Sequence, residues 1–341
     1  MLWPLGLCAL RLIKGLTTPH SSTLQPIHPP THPPSNPSTL QPIHPPTPTP
    51  PPPMPTPEIQ WYPGHIAKAE KALVDQLSRV DVVLEVRDAR IPLSTRHPRV
   101  DAWVGEKPRV LVLNRVDMIS KEARSAWEEW FRQRGEVPYF TNGQQGDGVK
   151  AIAKAAQGAG DAVNQRRQTR GMKPRPIRAV VIGFPNVGKS ALINRLLNRK
   201  VVASARKAGV TRQLRWIRLS GDLDLLDAPG VIPARLDDQA AAVKLAICDD
   251  IGEASYDTQR TAAAFLDLLK SLQQDGSPDT YGEILHARYG VLLDEHTGEG
   301  FVAQVAAEKF QHNSDRTAKR ILNDFRTGLL GSWVLEWPPV G

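Results

Sequence analysis

Apolar positions along the chain follow two rhythms. Short, nearly continuous apolar runs at Val80–Val86, Arg109–Leu113, Val137–Phe140, Arg178–Ile182 and Leu223–Leu226, with Gln213–Leu219 beside the last, read as buried strands. Between them the spacing stretches to three and four. Ile66, Ala69, Leu73 and Leu77 predict a first helix, with Lys68 and Lys71 on its exposed side. Further helices are expected near 99–104, over 121–134 with Trp127, Trp130 and Phe131 as anchors, over the Ala-rich 149–163, and over 190–197. Residues 165–178 read as a basic linker. Strands alternating with helices imply an α/β fold around a mostly parallel sheet. Beyond residue 236 only the helical rhythm remains, at 238–247, 258–273, 281–289 and 314–326. In the last of these Ala318, Ile321, Leu322 and Phe325 share one face, while Arg316, Lys319 and Arg320 share another. The expected organisation is an α/β domain over 58–235 followed by a smaller helical domain over 236–341.

Residues 1–57 carry neither rhythm. They hold 18 of the 31 prolines and no Asp or Glu, and Ser22–Thr31 recurs identically at Ser38–Thr47. Proline cannot donate to a helix or sheet, so this extension is expected to be extended or disordered. Two origins are consistent with it: a start of translation at Met54, or an acid-free, Ser/Thr-rich targeting segment. The remainder is long enough for two cores. No apolar run approaches the roughly 18 residues that span a bilayer, so the chain reads as soluble and cytoplasmic, with no membrane partner. Two cysteines, Cys8 and Cys248, provide neither a disulfide framework nor a zinc site. The formal charge of +8 is compatible with a nucleic-acid partner without requiring one.

Three motifs carry chemistry. Gly183-Phe-Pro-Asn-Val-Gly-Lys-Ser190 matches G-x-x-x-x-G-K-[ST] between a strand and a helix. Asn186, Val187, Gly188, Lys189, Ser190 and Ala191 would line the phosphates there, with Lys189 on the β and γ oxygens and Ser190 on Mg²⁺. Asn114-Arg-Val-Asp117 follows a strand. An Asp in that place accepts from guanine N1–H and N2–H₂, a pair of donors adenine lacks, while Asn114 would brace neighbouring loops. Asp227-Ala-Pro-Gly230 ends another strand, so that Asp227 would hold Mg²⁺ through water and the Gly230 N–H would sense the γ-phosphate. Thr211, in Ala208-Gly-Val-Thr211, can reach Mg²⁺ only when that phosphate is present, which makes it a switch.

Their order is unusual, because the base-reading motif precedes the phosphate loop. With Gln60-Trp-Tyr-Pro-Gly-His-Ile-Ala-Lys68, Asp88-Ala-Arg-Ile-Pro92 and Ala318-Lys-Arg-Ile-Leu-Asn-Asp-Phe325, the chain from Ile59 to about Gly331 resembles the circularly permuted GTPases of the ribosome biogenesis GTPase A family. The resemblance implies a circularly permuted Ras-like P-loop GTPase domain followed by a mostly helical domain that binds ribosomal RNA. It also implies GTP hydrolysis coupled to large-subunit assembly by a monomeric protein. Arg115 departs from the usual Asn-Lys-x-Asp, although its stem could still lie over the purine. Thr141-Asn-Gly143 stands where such proteins often carry Ser-Ala-Lys, and keeps only the hydroxyl.

Val231 and Ile232 occupy the positions where Ras-like enzymes orient the attacking water, and neither can hydrogen-bond one. The resemblance assigns that task to His65, and Asn186 stands where potassium-dependent GTPases use an asparagine to hold K⁺ beside the phosphates. A non-catalytic RNA-binding factor that merely retains GTP is the alternative. Because Asp227–Gly230 ends the nucleotide domain, a movement of Gly230 would pass directly into the segment that follows.

Overall fold

Among the described residues, six strands form one sheet in the order β3-β2-β1-β4-β6-β5, where β1 is Val82–Asp88, β2 Arg109–Asn114, β3 Pro138–Thr141, β4 Ile177–Ile182, β5 Arg215–Ser220 and β6 Leu223–Asp227. All neighbours are parallel except β5, which runs antiparallel to β6 at one edge. This computed structural model describes residues 59, 66–198, 214–220, 222–231, 233, 236–275 and 280–339, within a compact unit spanning 56–341. The proline-rich extension, His65 and Thr211 lie outside the described residues.

Central strands β1, β2 and β4 are buried on both sides, in keeping with their nearly continuous apolar runs. Helices α1 (Ile66–Leu77) and α2 (Val100–Val104) cover one face, where Leu73, Leu77, Val100 and Trp103 meet Val83, Val180 and Ile182. Helix α3 (Lys121–Gln133) sets Trp127 and Phe131 against Leu111 and Leu113. Helices α4 (Val149–Thr169) and α5 (Lys189–Leu196) place Ile152, Ala156 and Leu192 in the large core that also holds Val82, Leu84 and Val112. Alternate residues of β1 thus serve opposite cores.

Two expectations need correction here. The basic linker is in part helix: α4 continues to Thr169, carrying Arg166 and Arg167 into its last turn, where cations suit the helix dipole. Strand β1 extends through Arg87 and Asp88, two residues further than the apolar pattern indicates, because Glu85 and Arg90 neutralise these charges inside the fold.

The C-terminal region is helical as expected, with α6 (Gln239–Ile247), α7 (Thr258–Gln274), α8 (Tyr281–Tyr289), α9 (Gly298–Lys309) and α10 (Ser314–Arg326). Asp238, Asp257, Thr297 and Asn313 cap four of them by accepting a backbone N–H of the first turn. Helix α9 was not legible in the sequence, since Gly298 and Gly300 sit in its first turn and obscure the periodicity. Gly298 is needed there, because a Cβ would overlap the Ala263 carbonyl of α7. The chain then returns to the sheet, and residues 332–337 dock against α3 and the turn after β1.

Candidate functional site

Strand register builds the site. Asp88 pairs with Asn114, and Asn114 with Thr141, so the carboxyl ends of β1, β2 and β3 form one row. On the other side Val181 pairs with Asp227, which brings the ends of β4 and β6 together. All three motifs therefore open onto the same end of the sheet, at the point where connections diverge to either side.

In the phosphate loop, Gly183 has φ +152° and Gly188 +97°. A Cβ on the first would strike the Val86 carbonyl, and on the second the Asn114 side chain, so the loop can lie this close only with glycine at both positions. Helix α5 starts at Lys189, with Ser190 and Ala191 in its first turn and half-exposed, so the free N–H groups of that turn lie beside the loop. Lys189 folds back onto the loop, donating to the carbonyls of Gly183 at 3.1 Å and Phe184 at 2.6 Å. Burial lowers its pKa to about 8, against the pull of Asp227 and Asp250. Asp227 is buried, its Oδ1 has no hydrogen-bond partner among the described residues, and burial raises its pKa to about 6 despite Lys189 and Arg215. A buried carboxylate oxygen left unpartnered at the mouth of a phosphate loop fits a divalent cation. Gly230 packs on the loop, where a Cβ would stand 2.6 Å from the Pro185 nitrogen. Val231 N–H donates to the Gly183 carbonyl at 3.2 Å.

Asn114 joins the base side to the phosphate side. Its Nδ2 donates to the Val187 carbonyl at 2.8 Å, and its Oδ1 accepts from Thr141 Oγ1 at 3.1 Å and Gly143 N–H at 2.9 Å. Asn142 Oδ1 accepts from the N–H groups of Gln144 and Gln145, and its own N–H donates to the Asp147 carbonyl. The amides of 142–145 that could meet guanine O6 are thus engaged, Gly143 with Asn114 and the others within the loop. Asp117 sits exposed on the short turn Val116–Met118, free to meet a base edge.

Arg115 does more than stand in for a lysine. It has a left-handed backbone, and its Nη2 donates to the Asn186 carbonyl at 2.5 Å. Its Nε lies 3.4 Å from Asp88 Oδ2 and its Nη2 3.9 Å from Asp250 Oδ1. Asp88 also accepts from Arg90 at 3.0 and 2.7 Å, so although burial would raise its pKa, Arg90 and Arg115 hold it below the usual range. Asp250 behaves oppositely: burial and the neighbouring Asp88 push it well up. Asn186 Nδ2 donates to the Asp249 carbonyl at 2.7 Å, leaving Oδ1 as the group able to face a cation. Sequence reasoning did not assign Asp88, Arg90, Asp249 or Asp250 to the site. The first two lie inside a quoted motif, but a lone Asp-Asp pair at a helix end carries no local signal.

The basic face of α10 is less free than its sequence suggests. Lys319 pairs with Asp315 at 2.7 Å and Arg320 with Asp324 at 3.0 Å, while Arg316 stands over the Phe310 ring. At the end of α4 and beyond it, Arg166, Arg170 and Lys173 are exposed, while Arg167 is half-buried and donates to the Lys173 carbonyl.

This sheet, with its phosphate loop on β4 and its guanine-reading loop on the earlier strand β2, defines a circularly permuted P-loop GTPase. Residues 178–273 match the family model described as 50S ribosome-binding GTPase. Ribosome biogenesis GTPase A of Bacillus cereus is 33% identical over 288 residues, covering 82% of this chain and 94% of that protein. Mitochondrial ribosome-associated GTPase 1 of Bos taurus is 31% identical, covering 81% and 88%. The crystal structure of GNP-bound YlqF from T. maritima shares the fold at a TM-score of 0.53 and 22% identity, covering 80% of this chain and 98% of that one. The chain belongs to the ribosome biogenesis GTPase A family.

Proposed function

We propose that the protein is a GTP-hydrolysing assembly factor for the large ribosomal subunit whose nucleotide state governs its contact with ribosomal RNA. The observation that carries this reading is Asn114, which ties the start of the guanine-reading loop to the phosphate loop by one hydrogen bond and to Thr141 and Gly143 by two more, inside a chain of this family. Asp117 selects guanine, and the glycine-bounded loop with Lys189 takes the phosphates. Mg²⁺, when bound, neutralises charge developing on the β and γ oxygens, and Ser190, Thr211 and Asp227 are its proposed holders. The unpartnered Oδ1 of Asp227 supports this assignment. Asn186 Oδ1 is the proposed contact for K⁺, and His65 is the proposed residue that orients the attacking water.

Residues 236–341 are read as the RNA-binding module, with the exposed cations at the end of α4 as a further phosphate contact, in a monomeric cytoplasmic protein. Among the described residues no helix is long and apolar enough to cross a membrane. The acid-free extension, together with the bovine mitochondrial relative, favours an organelle as the second location, which fractionation of tagged protein decides.

Single-turnover hydrolysis of GTP and ATP, with and without large-subunit precursor particles, tests the function. The expected result is GTP-selective turnover accelerated by the particles, together with nucleotide-dependent cosedimentation. GTP binding without turnover in either condition would leave the non-catalytic alternative.

A further inference from the structure

Six non-glycine residues among those described have a left-handed backbone, and three of them, Arg115, Asn186 and Asp249, form a single hydrogen-bonded chain. Arg115 Nη2 donates to the Asn186 carbonyl at 2.5 Å, and Asn186 Nδ2 donates to the Asp249 carbonyl at 2.7 Å. Side chains with a Cβ persist in this conformation only where the surroundings hold them there, and such residues gather at working sites. The three come from three different places: the guanine-side loop after β2, the phosphate loop after β4, and the end of α6 in the C-terminal region.

The end of α6 explains how the turn is aimed. The helix closes with Asp249 N–H on the Ala246 carbonyl and Asp250 N–H on the Leu245 carbonyl, a left-handed cap that usually carries glycine at the Asp249 position. The cap turns the Asp249 carbonyl toward the phosphate loop and sends the Asp250 carboxyl inward. Asp250 is fully buried, and neither carboxyl oxygen has a hydrogen-bond partner among the described residues. Its nearest cation is Arg115, 3.9 Å away. Arg90, bidentate on Asp88, donates to the Cys248 carbonyl at 3.1 Å and so pins the same turn from below. The half-buried Arg115 thus shares this site with three buried groups, Asp88, Arg90 and Asp250, and a lysine in its place would offer a single point charge where the guanidinium spans Asn186, Asp88 and Asp250.

We propose that the Asp249–Asp250 turn of the C-terminal region is a working part of the nucleotide site, with Asp250 as the positioning residue that holds Arg115 against the phosphate loop. The inference rests on the reading of Gly183–Ser190 and Asn114–Asp117 as a guanine-nucleotide site. It makes nucleotide affinity depend on a residue that touches no part of the nucleotide.

A double-mutant cycle on the full chain tests it, with fluorescently labelled GDP as the probe. Asp250→Ala is expected to weaken binding about tenfold in the wild-type background and to add no loss in an Arg115→Ala background, because its effect passes through that arginine. Asp250→Asn, which keeps an acceptor in the same shape, should lose less, and carries the cycle if the alanine variant does not fold by urea titration. Equal losses in both backgrounds, or none in the wild type, overturn the proposal while leaving the nucleotide site intact. A wild-type chain that does not bind the labelled GDP overturns the underlying reading as well.

Discussion

Asn114 is the residue on which the two halves of the site depend. It is buried and serves three partners, so Asn114→Ala leaves the Val187 carbonyl, the Thr141 hydroxyl and the Gly143 N–H without it. The expected cost is about 2 kcal/mol of stability, from the price of orphaned buried polar groups, with weaker binding of GDP and GTP alike. Urea unfolding and nucleotide titration check both. His97 gives a second prediction at this scale. It is buried against Trp103, ring centroids 4.1 Å apart, and burial with Arg99 nearby lowers its pKa to about 4. The unfolded chain therefore takes up a proton at this position near pH 6.5 while the folded chain does not, and stability falls as pH drops from about 6.5 toward 4, by at most about 1.4 kcal/mol per unit. Asp227 acts in the opposite sense below about pH 6, since its raised pKa lets the folded state bind the proton first. The difference between wild type and His97→Phe isolates the histidine: the variant's unfolding midpoint should fall less on acidification from pH 7 to 5. Parallel curves would refute the assignment. At this scale the motif residues were legible because phosphate and guanine chemistry fix both type and spacing. Asp250 was not, because its importance comes from a contact made 135 positions away from Arg115 in sequence.

Among the elements, α10 pairs part of its basic face with its own carboxylates. Asp324 lies fully buried near its C-terminal end and accepts from Arg288 Nε at 2.6 Å, Tyr289 Oη at 2.9 Å and Arg320 Nε at 3.1 Å. Burial, together with the adjacent Asp324 carboxylate, raises the Tyr289 hydroxyl above its ordinary range, because both disfavour the phenolate. Asp324→Ala would strand two arginines and a hydroxyl that α8 and α10 share, and the expected destabilisation is about 3 kcal/mol, read as a lowered urea midpoint. Loss of less than about 1 kcal/mol would mean that water replaces the carboxylate. Nearly continuous apolar runs made every strand of the sheet legible, although β5 and β6 could not be ordered without knowing that β5 turns back antiparallel. The helical pattern exposed α10 at once through its apolar face, whereas α9 was hidden by glycines whose reason is the close approach of α7, which is a tertiary fact.

At the scale of the whole molecule, the C-terminal segment binds back onto the nucleotide-binding half. Leu335 N–H donates to the Arg90 carbonyl, Trp127 Nε1 to the Glu336 carbonyl and Ser332 Oγ to the Asp117 carbonyl. The Glu336 carboxylate accepts from Leu93 N–H, Ser94 N–H and Oγ, and Lys244 Nζ. The last residues thus grip the turn after β1, the helix α3 and the loop that carries Asp117. Folding should then be one cooperative event over the described sheet and helices, since neither part keeps its buried polar groups satisfied alone. A chain ending at Gly331 is expected to unfold in a single transition at lower urea concentration. It should also bind GDP more weakly, because the Asp117 loop loses Ser332 and the Arg90 turn loses Leu335. Two separated transitions, with the first leaving nucleotide binding untouched, would show instead that the segment merely covers the sheet. The single transition is the expected result because this segment holds the loop of Asp117 and the turn at Arg90, whose side chain in turn pairs with Asp88 and donates to the Cys248 carbonyl at the end of α6.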